Sequence, residues 1–168
     1  MKRRSFEDMN CSVAQALEIV GEWWTLLILR DAFVGTRRFD DFQARLGISR
    51  NVLTTRLDAL VEHGILRRVP YSERPPRDEY RLTDKGRGLW TVLHALREWG
   101  DEWIVGTEQA SVVLVHDGHR CHTDLHCSEC GEQIGIRDVQ LVPGPGADET
   151  TILAPRIAAA APVANQAR

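Results

Sequence analysis

The segment from Arg38 to Gly64 constrains this chain more than any other. Asp40–Leu46 reads as a short helix with Phe42 and Leu46 turned inward. Gly47 stops it, because glycine tolerates the left-handed backbone of a helix end. Ser49 then caps a helix over 50–63, and Ile48 and Leu53 stand at the two positions of a hydrophobic staple. On this second helix Leu53, Leu57, Leu60 and Val61 form one stripe. Arg50, Asn51, Thr54, Thr55 and Asp58 are left on the opposite side. Gly64 ends the helix.

The flanks complete the pattern. Asn10 can cap a first helix over 11–20, with Val13, Leu17 and Val20 on one face. Gly21 interrupts it, and Glu22–Phe33, dense in Trp and Leu, reads as a central core helix. Beyond Gly64, Ile65–Pro70 and Glu79–Leu82 read as short strands joined by a polar connection stiffened by Pro75 and Pro76. Thr83 caps a long fifth helix running to about residue 104. Its apolar positions Val92, Leu96, Trp99 and Trp103 form a stripe that Leu89 and Leu93 widen. The sum is a mainly α fold with a small β wing, a winged helix-turn-helix.

Charge sharpens this reading. The chain of 168 residues has a formal net charge of −3, which excludes a uniformly basic coat. The charge is uneven, however: residues 37–85 carry 11 basic and 8 acidic side chains, whereas 104–168 carry 4 and 8. Within 37–85 every basic residue except Lys85 is arginine, the side chain suited to forked contacts with phosphates and guanine edges. The expected DNA-binding residues are Arg38, Ser49, Arg50, Asn51, Thr54, Thr55 and Arg56 around the second helix of the motif, with Arg67, Arg74 and Arg77 in the wing. Arg can fork onto guanine and Asn onto adenine, and Thr can touch a thymine methyl or a phosphate. The same arginines could instead meet an acidic protein partner, and an ordinary solvated face remains the plainer alternative.

The stretch from Cys11 to Trp103 resembles the HxlR family of bacterial transcription regulators, a winged-helix group related to MarR. The matching residues are Cys11-Ser12-Val13, Gly21–Asp31, Arg38–Phe42, Gly47–Leu57, Leu60–Leu66 and Tyr80–Gly86. The resemblance implies that 49–63 is the recognition helix and 67–81 the wing, and that the protein is a dimeric DNA-binding regulator, expected here to be a repressor reading a palindromic operator. The dimer would form through the first and fifth helices, with Trp99 and Trp103 as anchors unless they cover the chain's own core. Some members resemble thiol sensors with a cysteine at the place of Cys11; a buried residue that seats the first helix is the alternative.

Past residue 106 the chemistry changes. Four of six histidines and three of four cysteines lie in 116–130. Cys127-Ser128-Glu129-Cys130-Gly131 has the spacing of half a structural zinc site. His116, His119 and Cys121 are candidates for the other half. A zinc-ribbon-like module held by a structural zinc ion is therefore expected, against a redox-active thiol pair or unliganded side chains. A zinc deaminase would need His-x-Glu ahead of Pro-Cys-x-x-Cys, and no proline precedes Cys127, so no enzyme is expected.

The domains expected are an N-terminal arm at 1–10, the winged helix-turn-helix at 11–106, the Cys/His-rich module at 107–142 and a disordered Pro/Gly/Ala-rich tail at 143–168. No apolar run approaches a membrane span, and Phe6-Glu7-Asp8 stands where a signal peptide needs apolar residues. A cytoplasmic, nucleoid-associated protein without membrane contact is expected. A small-molecule or redox inducer is a candidate partner, and Trp23, Trp24 and Trp90 could line a pocket for it, although an aromatic stripe of this kind is more often simply core.

Overall fold

The computed structural model describes residues 5–151. They divide into two units, one of residues 19–123 and the other of 5–18 with 124–151. The boundary expected after residue 106 does not part them: 107–123 belongs with the winged helix, and 124–142 with the N-terminal segment. The expected arm and tail extend outside the described residues at 1–4 and 152–168.

The first helix, α1 (Ser12–Val20), is followed by α2 (Trp23–Phe33), α3 (Phe39–Leu46) and α4 (Arg50–Glu62). Asp40 and Asp41 sit in the first turn of α3 and Arg45 in its last, each on the favourable end of the helix dipole. Gly47 closes α3 at φ +65° and donates its N–H to the Gln43 carbonyl at 2.9 Å. Ser49 starts α4, its Oγ accepting the Val52 N–H at 3.3 Å. Leu53, Leu57 and Leu60 then point inward and are almost fully buried with Ile28, Leu29 and Phe42. The edge of the Phe42 ring meets Tyr80 of the wing at 6.5 Å. Asp31 is fully buried in α2 between Arg30 (2.9 Å) and Arg45 (3.3 Å), tying α2 to α3.

The wing is an antiparallel pair, β1 (Leu66–Glu73) and β2 (Pro76–Leu82), with Arg67 opposite Arg81, Arg68 opposite Tyr80, and a bulge between Pro70 and Ser72. Both strands reach further than expected. Their outer halves are exposed, so no alternation of apolar residues marks them in the sequence. Pro76 is tolerated because it opens its strand, where no ladder bond is lost.

Thr83 fastens the wing's exit to the end of α4. Its N–H donates to the Ile65 carbonyl at 3.1 Å, its hydroxyl donates to the Gly64 carbonyl at 2.6 Å, and its Oγ accepts the Gly86 N–H at 3.1 Å. Lys85 adds a bond to the His63 carbonyl at 2.9 Å. Gly86 is buried here, and a Cβ on it would stand 2.2 Å from the Ile65 carbonyl oxygen.

The single long fifth helix is not formed. It is divided into α5 (Asp84–Arg87) and α6 (Trp90–Gly100), and α6 runs on as a π-type turn over Asp101–Val105. Gly86 and Gly88 weaken the first turn, and Leu89 N–H bonds back three residues to the Gly86 carbonyl, tightening the chain at the break. A short hairpin, β3 (Leu114–His116) and β4 (His119–Cys121), follows. Asp117 and Gly118 make its turn, both at positive φ. Arg97 holds the segment before it through the Val112 carbonyl at 2.8 Å, and Glu98 accepts the Thr123 N–H after it at 3.0 Å.

In the other unit Asn10 does not cap α1. Its carboxamide donates to the Gly146 carbonyl at 2.9 Å and to Thr151 Oγ1 at 3.3 Å. Residues 143–151, expected within a disordered tail, form turns. The Asp148 carboxylate accepts the Thr150 N–H at 2.9 Å, and Asn10 and Thr150 together hold its pKa at about 2. Among the described residues no single helix is long and apolar enough to cross a membrane.

Replacing Gly86 by Ala should lower stability by about 1–3 kcal/mol, because the new methyl meets backbone. Gly100→Ala, with open space around it, should instead raise stability by about 0.5–1 kcal/mol. Urea unfolding of the two variants checks both signs.

Candidate nucleic-acid interface

The buried leucine stripe decides what α4 shows to solvent. Arg50, Asn51, Thr54, Thr55 and Asp58 are all exposed, as expected, and Ser49 stands at the helix start. Arg50 leans on α3: its guanidinium is 3.3 Å from Asp40, 3.2 Å from Gln43 Oε1 and 4.6 Å above the Phe39 ring. Thr55 donates its hydroxyl to the Asn51 carbonyl at 2.9 Å.

Arg56 lies apart from this group. It is half-buried, 3.4 Å from Glu22, and its Nε is buried without a partner. It braces α4 against the start of α2 instead of presenting a charge beside Asn51. Its spacing gives the reason: it is three residues after Leu53 and four before Leu60, so it borders the buried stripe.

The wing distributes its arginines over two faces, because successive strand residues point to opposite sides. Arg68 turns towards α4 and pairs with Asp58. Arg38, at the start of α3, lies 4.7 Å above the Tyr71 ring of β1. Arg38, Arg50, Arg68 and Arg77 therefore share a groove of about 520 Å³ between the motif and the wing, with Tyr71, Asp40, Asp41 and Asp78 also on its walls. Arg74 is exposed at the wing tip. Arg67 and Arg81 belong to the other face and line a separate cleft with Arg37. Tyr71, Arg68 and Arg37 are additions to the expected set. The alternation of the strand was the signal for Arg67 and Arg68; the cation–π contact of Tyr71 had none, since it joins residues 33 positions apart.

The three rings Trp23, Trp24 and Trp90 do not come together as a pocket, and only Trp24 follows the favoured core reading. Trp23 is 86% exposed and Trp24 packs on the core. Trp90 stands against Phe33.

The expected metal ligands fall in both units. His116 and His119 face each other across the β3–β4 hairpin with ring centroids 5.9 Å apart, both exposed, and Cys121 on β4 is half-buried. In the other unit Cys127 and Cys130 bound a turn closed by Gly131 N–H on the Cys127 carbonyl at 2.9 Å. The backbone N–H groups of Cys130 and Glu129, with the Cys130 side chain, lower the Cys127 thiol pKa. Cys130 Sγ lies 3.8 Å from Glu132 Oε2. The donor chemistry of this turn fits one half of a thiolate metal site, yet among the described residues no three His, Cys, Asp or Glu side chains gather closely enough to hold an ion. Cys11, read either as a thiol sensor or as a buried residue seating the first helix, is a half-buried free thiol just before α1.

Comparison with known proteins agrees with the winged-helix geometry. The model of the HxlR-like helix-turn-helix family matches residues 19–108. An HTH-type transcriptional regulator of Mycobacterium tuberculosis is 51% identical over 139 residues, which are 80% of this chain and 87% of that protein. The crystal structure of PA1607, described as a transcription factor, superposes with a TM-score of 0.73 at 38% identity, covering 82% of this chain and 98% of its own. The redox regulator HypR in its reduced form gives 0.52 at 31% identity, over 55% of this chain and 92% of its own. The family and these relatives are transcription regulators and not enzymes. With α2, α3, α4 and the wing all inside the matched residues, this chain belongs to the HxlR-like helix-turn-helix family.

Proposed function

We propose that the protein is a DNA-binding transcriptional repressor that grips a palindromic operator as a homodimer. The observation that carries this is the exposed front of α4, with Asn51, Thr54 and Thr55 unobstructed beside a groove of four arginines. Asn51 and Arg50 read base edges in the major groove. Arg38, Arg74 and Arg77 hold phosphates. The exposed ion pair of Arg50 with Asp40 does not oppose this: such pairs are worth at most about 1 kcal/mol, less than the ~1–3 kcal/mol of a forked contact with guanine.

A dimer is supported by apolar surface that one chain leaves uncovered. Val92, Leu96, Trp99 and Trp103 of the stripe along α6 and its π-type extension are 48–68% exposed, and Val13 on α1 is 68% exposed. Burying such side chains against a second copy yields roughly 25 cal/mol per Å². A twofold pair then presents two α4 helices to half-sites about one helical turn, ~34 Å, apart. A dimer seated on its operator with no further contact obstructs polymerase, which favours repression. A DNA-binding role implies a cytoplasmic protein associated with the nucleoid.

Zinc remains part of the proposal. Cys127 and Cys130 supply one half of the site, and Cys121 with His119 or His116 the other; the ion would act as a structural link in a segment with little apolar core. A thiol- or metal-responsive signal follows, through Cys11 or through these ligands. HypR, named a redox regulator, is a structural relative.

Four outcomes are expected. Arg50→Ala or Asn51→Ala should relax sequence preference at a cost of about 1–3 kcal/mol per lost base contact, whereas Arg74→Ala or Arg77→Ala should weaken all duplexes alike. For the wild type, the logarithm of affinity should fall with that of salt at about −0.9 per phosphate neutralised, and each wing variant should flatten the slope. Fluorescence anisotropy across salt reads both; a flat response would point to a protein partner instead. Trp99→Ser should turn a dimer into a monomer in sedimentation, and elemental analysis of protein purified without added metal should give about one zinc per chain.

A further inference from the structure

The far face of the wing carries a cleft that the DNA reading does not use. Its volume is about 680 Å³, inside the range of about 300–1,000 Å³ usual for small-molecule sites. It lies where the end of α2, the base of the wing and the start of α6 meet, all within residues 19–123. Its apolar part is built from Phe33 and Trp90, whose rings meet edge to face at 5.3 Å. His94 stacks on Trp90 at 3.6 Å and bonds to the Trp90 carbonyl at 3.0 Å through Nδ1, so the indole is fixed in place.

Four arginines, Arg37, Arg67, Arg81 and Arg87, stand around these rings. Two of them are satisfied: Arg81 pairs with Glu79, and Arg87 pairs with Asp84 and donates to the Leu82 carbonyl at 3.1 Å. Among the described residues Arg37 and Arg67 have no acidic partner. They are the cations left over in the cleft that these rings also line. Their forked donors match a carboxylate. A duplex backbone would satisfy the charge but has no flat apolar body for Phe33 and Trp90. A plain inorganic anion has none either.

We propose that this cleft binds a small aromatic carboxylate, with the ring against Trp90 and Phe33 and the carboxylate held by Arg37 and Arg67. Through its consequence alone the proposal rests on the regulator reading: Arg67 belongs to the same strand pair as Arg74 and Arg77, so a ligand here and a duplex at the wing affect each other's affinity equally.

Calorimetry on the full chain without DNA tests the site, so that a failure to bind duplex and a failure of the cleft are separately visible. The probe is 2-naphthoate, with 2-naphthol and inorganic phosphate alongside. The expected result is one saturable naphthoate site per chain, about tenfold or more weaker for naphthol, and no saturable binding of phosphate. Arg37→Gln and Arg67→Gln, both at exposed positions, should each weaken naphthoate by a similar factor. Arg74→Gln should leave it unchanged. No saturable naphthoate binding, equal binding of phosphate, or indifference to the Arg37 and Arg67 substitutions would overturn the proposal.

Discussion

The architecture depends on three leucines. Leu53, Leu57 and Leu60 hold α4 against Ile28, Leu29 and Phe42, and each is almost fully buried. Truncating a leucine so placed costs about 2–5 kcal/mol, so the rotation of α4 about its own axis is not free. That rotation decides which residues reach solvent. It puts Asn51, Thr54 and Thr55 outward and draws Arg56 in towards Glu22. Thr83 then fixes the wing to the end of the same helix through bonds to the Gly64 and Ile65 carbonyls, and its Oγ accepts the Gly86 N–H. Motif and wing therefore share one anchor, and a change at either end of α4 is felt at the other.

Much of this was legible in residue order because it is local. Ser49 and Val52, Gly47 and Gln43, and Thr83 and Gly86 are three or four residues apart, and each pair is a capping rule realised. The leucine stripe is likewise a matter of spacing on one helix. What the sequence hid is set by neighbours distant in the chain. The reach of the wing depends on backbone pairing between exposed strands, and the partnership of Arg38 with Tyr71 on the fold that brings them together. Trp23 misled because its type suggests a core, whereas its place at the first turn of α2 leaves it exposed. The apparent continuity of the fifth helix rested on its apolar stripe, which outweighed the low helix propensity of Gly86 and Gly88.

Arginine distribution connects the two surfaces of the wing. Strand alternation alone separates Arg68 and its groove beside α4 from Arg67 and its cleft beside Trp90. One face has two of its cations matched by Asp40 and Asp58 in exposed pairs, which can be exchanged for phosphates at small cost. The other leaves Arg37 and Arg67 next to aromatic rings, an environment that favours a compact organic anion. If both proposals hold, a two-faced hairpin of this kind would link a small ligand to a duplex, since one strand pair carries both sets of charges.

The proposed function turns on α4 and the wing meeting a duplex. Amide chemical shifts of isotopically labelled protein, followed while adding a DNA fragment that the protein itself retains from a genomic pool, test it most directly. The signals that move should cluster at Asn51, Thr54 and Thr55 and at Arg74 and Arg77. Undisturbed signals there, with changes confined to other surfaces, would contradict it.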